Sequence, residues 1–123
     1  MPKNESLHGL NPYDRLKVCI DDIKENHSDA ELCVITGDLT HTANPDAYLD
    51  LRKCLSELSM PVHLLAGNHD RRGEMLAAFP DISIDPHGFI QFEFDCSAGR
   101  FLMLDTVEEG KGWGSYCETR LVW

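Results

Sequence analysis

Leu32-Cys33-Val34-Ile35-Thr36-Gly37-Asp38 and, thirty residues on, Val62-His63-Leu64-Leu65-Ala66-Gly67-Asn68-His69-Asp70 are the two segments on which the fold turns. Each is a short apolar run that ends on a glycine and then on polar side chains. Such a run reads as a strand buried on both faces, as in a parallel sheet. Between them, Asn44-Pro45-Asp46 is a helix start. Tyr48, Leu51, Leu55 and Leu58, spaced by threes and fours, predict an amphipathic helix of about 15 residues ended before Pro61. Strand, helix and strand in this length form a parallel βαβ crossover. Its geometry sends both loops out at the carboxyl edge of the sheet, where open α/β sheets bind ligands. Asp38 and Asn68-His69 are expected to face each other there, with Gly37 and Gly67 allowing the chain to turn sharply as it leaves each strand.

Outward from this unit, Asn11-Pro12 opens a helix that Asn11 caps and Asp14 favours, with Leu16, Cys19, Ile20 and Ile23 on one face and an end near Asn26-His27-Ser28. Arg71 to Phe79 reads as a short helix, for which Asp70 is the expected cap. Phe89–Phe94 and Arg100–Leu104 predict a β-hairpin joined by the five residues Asp95 to Gly99. Glu109 to Gly114 is a glycine-rich loop, and Glu118 to Trp123 resembles the opening turn of a helix. The fold class is therefore α/β. The 123 residues are expected to form one domain, 42% hydrophobic and 26% charged, able to bury a core.

The net charge of −10 argues against a general nucleic-acid or anionic-membrane binder, since a phosphate backbone repels such a surface. An anionic substrate stays compatible with this charge where a bound cation supplies positive potential locally. Five widely spaced cysteines without a C-x-x-C pair read as buried, reduced thiols of a cytoplasmic protein. No apolar run approaches the ~20 residues of a membrane span, and Met1 to Ser6 lack the apolar stretch of a signal peptide.

GDLTH (Gly37 to His41) and GNHD (Gly67 to Asp70) concentrate ligand-type side chains. Taken singly, Asp38 reads equally well as a turn or capping aspartate, and Asn68 to Asp70 as an Asx-turn feeding a helix. Together at one sheet edge, a carboxylate and an amide oxygen suit hard or borderline divalent cations. With these motifs the sequence resembles the calcineurin-like metallophosphoesterases. The likeness extends from Asn44-Pro45-Asp46-Ala47-Tyr48 through Met60-Pro61-Val62 to Arg71, and on to Leu104-Asp105-Thr106 and Gly112 to Gly114. These stretches look like the branch that contains cyclic-nucleotide and glycerophosphodiester phosphodiesterases.

The resemblance implies a layered sheet sandwich and two divalent metal ions of the Fe, Mn, Zn or Mg class. It places a bridging metal ligand at Asp38, a metal ligand and substrate contact at Asn68, and a catalytic, phosphate-facing imidazole at His69. Two cations ~3.5–4 Å apart polarise a phosphoryl oxygen and acidify a bridging water, and an imidazole of ordinary pKa ~6.5 can donate a proton near neutrality. His41 reads as a surface loop residue, His63 as half-buried and structural, and Asp85-Pro86-His87 as a turn. The implied activity is hydrolysis of a small phosphodiester, of the 3′,5′-cyclic nucleotide kind. A nuclease branch shares GNHD, but the acidic surface and the Pro45-x-x-Tyr48 helix favour a small diester over DNA.

The family pattern also requires an Asp-x-His strand, a later histidine and a Gly-His-x-His motif. Among the six histidines there is no His-x-His, and Glu5 to Leu10 resembles the segment just after the family's Asp-x-His strand. The chain thus reads as the central part of the family's domain, with two metal ligands of its own. The alternative expectation is a catalytically incomplete binding module that pairs with a second copy through an open sheet edge.

Overall fold

The structure is a computed structural model and describes residues 6–123; the reading of Met1 to Glu5 as free of a signal peptide lies outside the described residues. Helix α1 (Pro12–Asn26) begins where Asn11 Oδ1 accepts the backbone N–H groups of Tyr13 and Asp14 at 2.9 and 3.3 Å. Helix α2 (Pro45–Leu55) begins in the same way on Asn44, which takes the N–H groups of Asp46 and Ala47. In both helices a proline occupies the first turn, where a missing N–H costs nothing. α2 has 11 residues, shorter than its apolar spacing predicts, because the chain leaves the helix at Ser56.

Strands β1 (Cys33–Ile35) and β2 (Val62–Leu64) pair in parallel, Val34 opposite His63. The ladder continues through the Leu65 N–H to the Ile35 carbonyl at 2.9 Å. With α2 between them they form the predicted crossover. Leu64 is buried, whereas Cys33, Val34, Ile35, Val62 and His63 are only half-buried. Full burial on both faces fails because, among the described residues, this sheet has two strands and an open side on each.

Helix α3 (Arg72–Ala78) comes after the second loop. The core collects Ile20 from α1, Tyr48, Leu51, Cys54 and Leu55 from α2, Leu64 from β2, Met75 from α3, and Ile90. Of the thiols, Cys54 is buried, Cys33 and Cys96 are half-buried, and Cys19 and Cys117 are exposed; all five are free. The expectation of buried thiols therefore fails at two positions: Cys19 lies on the outer side of α1, and Cys117 precedes the short helix α4 (Glu118–Leu121).

β3 (Phe92–Cys96) and β4 (Gly99–Met103) form an antiparallel hairpin whose pairing runs out to Cys96 opposite Gly99. The connection is therefore Ser97-Ala98, two residues rather than five. Phe94 of β3 stacks on His63 of β2, ring centroids 3.9 Å apart, and so joins the two small sheets. Burial pushes the His63 pKa below its ordinary value.

Candidate functional site

The loops that leave β1 and β2 lie against each other. Gly37 has φ +107°, and a Cβ placed on it would stand 2.5 Å from the Gly67 nitrogen. A Cβ on Gly67 would stand 2.2 Å from both the backbone nitrogen and Oδ1 of Asp38. Both glycines are needed because the two backbones touch, and no side chain fits between them. Asp38 itself sits in the left-handed region at φ 52°, a conformation that costs a non-glycine residue energy and persists only where its surroundings enforce it.

Asp70 supplies that enforcement. It does not cap α3, whose N-cap is Arg71 with no side-chain hydrogen bond. Its carboxylate is 2% exposed. Oδ2 accepts the N–H groups of Leu39 and Gly67 at 3.0 and 2.9 Å. Oδ1 accepts the Thr40 N–H at 3.3 Å and the Tyr48 hydroxyl at 2.8 Å. A buried carboxylate is tolerated when its lone pairs are filled in this way. Three of the donors come from the two rim loops and the fourth from α2. Burial, together with the bond to Asp70, drives the Tyr48 pKa far upward, so its hydroxyl stays a donor. The sequence conceals this role because an aspartate just before a helix has the same local signature whether it caps the helix or reaches back across thirty residues.

On this tie sit the predicted site residues. The His69 backbone N–H donates to Asp38 Oδ1 at 3.1 Å, and Asp38, Asn68 and His69 are all exposed. Asp38 and Asn68 share a cleft of about 360 Å³ with Thr36, Thr106 and Trp113. A second hollow of about 270 Å³ opens between Asp38, His69, His41, Leu39 and Pro12. The His69 ring stacks on the His41 ring with centroids 5.1 Å apart and planes inclined by 22°. Asp85 lies apart from the rim, buried and turned onto the His87 and Phe89 N–H groups and the Gln91 amide, as a turn residue.

The far wall of the larger cleft is the segment from Thr106 to Gly114, and two arginines fasten it. Arg72 binds Asp105 through two hydrogen bonds of 2.7 Å and also reaches the Val107 carbonyl at 2.7 Å. Arg120 donates to the carbonyls of Asp105 and Ser115 and to Glu108. The Phe89 ring lies close to both guanidinium groups, 5.1 and 4.6 Å from centroid to carbon. Burial raises the Asp105 pKa, but the bonds from Arg72, Ile90 and Val107 outweigh it and hold the carboxyl below its ordinary value. Asp105 is thus committed to structure. Neither arginine stands out in the sequence, since a charge pair 33 residues apart leaves no local pattern.

The donor chemistry at the rim, one carboxylate and one amide oxygen, fits a hard divalent cation in kind. It supplies part of a coordination sphere, for no group of three or more His, Cys, Asp or Glu side chains suited to a metal occurs among the described residues.

The parallel crossover with GD and GNHD on its rim lies within the stretch of this chain that matches known proteins. Residues 7–119 match the calcineurin-like phosphoesterase family, to which this chain belongs. It is 34% identical over 121 residues to a probable cyclic nucleotide phosphodiesterase of Rhodopseudomonas palustris, covering 97% of this chain and 44% of that protein. It is 28% identical over 121 residues to the 3′,5′-cyclic adenosine monophosphate phosphodiesterase of Escherichia coli K12, covering 98% and 43%. It is 24% identical over 106 residues to a probable glycerophosphodiester phosphodiesterase of Arcobacter nitrofigilis, covering 85% and 39%. The chain spans less than half the length of these relatives. No helix among the described residues is long and apolar enough to cross a membrane.

Proposed function

We propose that this chain carries the central part of a metal-dependent phosphodiesterase site for a small diester, of the 3′,5′-cyclic nucleotide kind. The observation that supports it is the meeting of Asp38 with Asn68-His69 on one rim, where the His69 N–H bonds Asp38 Oδ1 at 3.1 Å. Asp38 and Asn68 would hold divalent metal, Asp38 as the bridging ligand. When bound, such ions lend positive charge to the phosphoryl oxygens and acidify water. The chain's own groups do the rest. Asp38 is preset by its enforced backbone, so its carboxylate needs little rearrangement to bind. His69 faces the phosphate and either stabilises developing charge or protonates the leaving oxygen. The acidic surface disfavours a polyanionic nucleic acid, whereas a small diester requires only the local charge of the cleft. The substrate class is taken from the names of the relatives from Rhodopseudomonas palustris and Escherichia coli.

Manganese titration of the chain, monitored by NMR, tests the metal assignment. Paramagnetic broadening is expected first at the Asp38 and Asn68 amides, and Asp38→Asn should abolish it. Broadening spread evenly over the acidic surface would count against the assignment. In a protein of the relatives' full length, His69→Ala should cut turnover of bis(4-nitrophenyl) phosphate by about 10²-fold or more while leaving metal content nearly unchanged. Equal losses of both would reassign His69 from the phosphate to the metal.

A further inference from the structure

His41 reads as a plain surface residue in the sequence, yet it makes two separate contacts with His69. Its ring lies under the His69 ring, 5.1 Å between centroids and 22° from parallel. Its backbone carbonyl oxygen stands 2.8 Å from His69 Nδ1. A carbonyl only accepts, so Nδ1 must carry the hydrogen. In a neutral ring this leaves Nε2 bare, and Nε2 is then the one ring nitrogen available to a ligand. The ring stack restricts rotation about the His69 side-chain bonds, and the carbonyl selects which ring nitrogen carries the hydrogen. His41 is in turn seated by its neighbours: the Leu39 and Thr40 N–H groups are bound by buried Asp70, and His41 and His69 line the same 270 Å³ hollow beside Asp38.

We propose that His41 is a positioning residue for His69: ring stack and carbonyl together lock the Nδ1–H tautomer and leave Nε2 as the nitrogen free for a ligand in the hollow beside Asp38. This deepens the phosphodiesterase reading and rests on it for the meaning of a free Nε2, while the lock itself can be measured without turnover.

The test is long-range ¹H–¹⁵N correlation of the imidazole rings in the 123-residue chain, in mildly alkaline, metal-free buffer where imidazoles are neutral. His69 is expected to show Nδ1 as a protonated nitrogen and Nε2 as a lone-pair nitrogen. In His41→Ala this separation should collapse toward the averaged signals of a free histidine. In His41→Phe, which keeps an aromatic face and the backbone carbonyl, it should persist. The His63 ring signals, from β2 where the ring stacks on Phe94, report in each variant that the fold is intact. A wild-type His69 with hydrogen on Nε2 would overturn the proposal, as would a His41→Ala spectrum identical to wild type or a His41→Phe spectrum that collapses. Should His41→Ala fail to fold, wild type and His41→Phe still decide it. None of these outcomes depends on hydrolysis, so the lock can fail while the phosphodiesterase reading stands, and the reverse.

Discussion

The rim and the hairpin solve the same problem in opposite ways. In the hairpin, five residue pairs from Phe92–Met103 to Cys96–Gly99 form one continuous local ladder, and its charges, Arg100 with Asp95 and Glu93, lie in solvent. In the rim, two strands of three residues would hold little by themselves, and one buried carboxylate joins loops thirty residues apart. The hairpin is redundant, since removing one pair leaves four. The rim has a single centre. Sites that must hold a carboxylate and an imidazole to within a fraction of an ångström gain from the second arrangement, because every donor is aimed at one point.

That contrast can be broken by substitution. The largest effect is expected for Asp70→Ala, which strands the buried Thr40 N–H and Tyr48 hydroxyl and the part-buried Leu39 and Gly67 N–H groups, and should cost about 3–5 kcal/mol by urea denaturation. If that variant does not fold, Tyr48→Phe, which removes one of the four donors, should cost about 1 kcal/mol. Gly67→Ala comes next at about 2–3 kcal/mol, since its Cβ meets the Asp38 backbone at 2.2 Å and only a shift of the rim can relieve it. Heteronuclear spectra should show that shift centred on Asp38 and His69.

A third measurement uses acid. The Asp105 carboxyl is held below its ordinary pKa of 3.8, chiefly by Arg72 against the opposing effect of burial. Its contribution is therefore complete above pH 3.8 and is lost as the pH falls through the depressed folded value. Stability against pH should drop in that range, and Asp105→Asn should lower stability at neutral pH while flattening the acid slope. The smallest effect belongs to the hairpin. Arg100→Ala removes solvent-exposed ion pairs only, and the denaturation midpoint should not move measurably. A clear loss there would mean that the hairpin depends on its charges as the rim does.

The elements visible in the sequence are those written in local code. Asn11 and Asn44 announce their helices because a cap and its N–H partners lie within three residues of each other. The crossover is legible because two apolar runs ending on glycine leave few alternatives, and that topology alone brings Asp38 and Asn68-His69 to one edge. What stays hidden acts across distance. Asp70 resembles a cap, yet its partners include Leu39 and Thr40. Arg72 and Asp105 lie 33 residues apart, and nothing in either neighbourhood names the other. The composition of the hairpin turn suggests five residues, whereas cross-strand pairing extends the strands until only Ser97-Ala98 remains. His41 is inconspicuous because half of its role belongs to its backbone carbonyl, which any residue type would supply.

The four-donor carboxylate also bears on motion. Loop amides at the edge of a small sheet ordinarily open by themselves and surrender their hydrogens to solvent long before the core does. Here Leu39, Thr40 and Gly67 share one acceptor group with a hydroxyl from the first turn of α2, so none can be released without disturbing the rest. Their deuterium uptake is therefore tied to unfolding of the whole crossover, and the loops of the rim keep the slow clock of the interior.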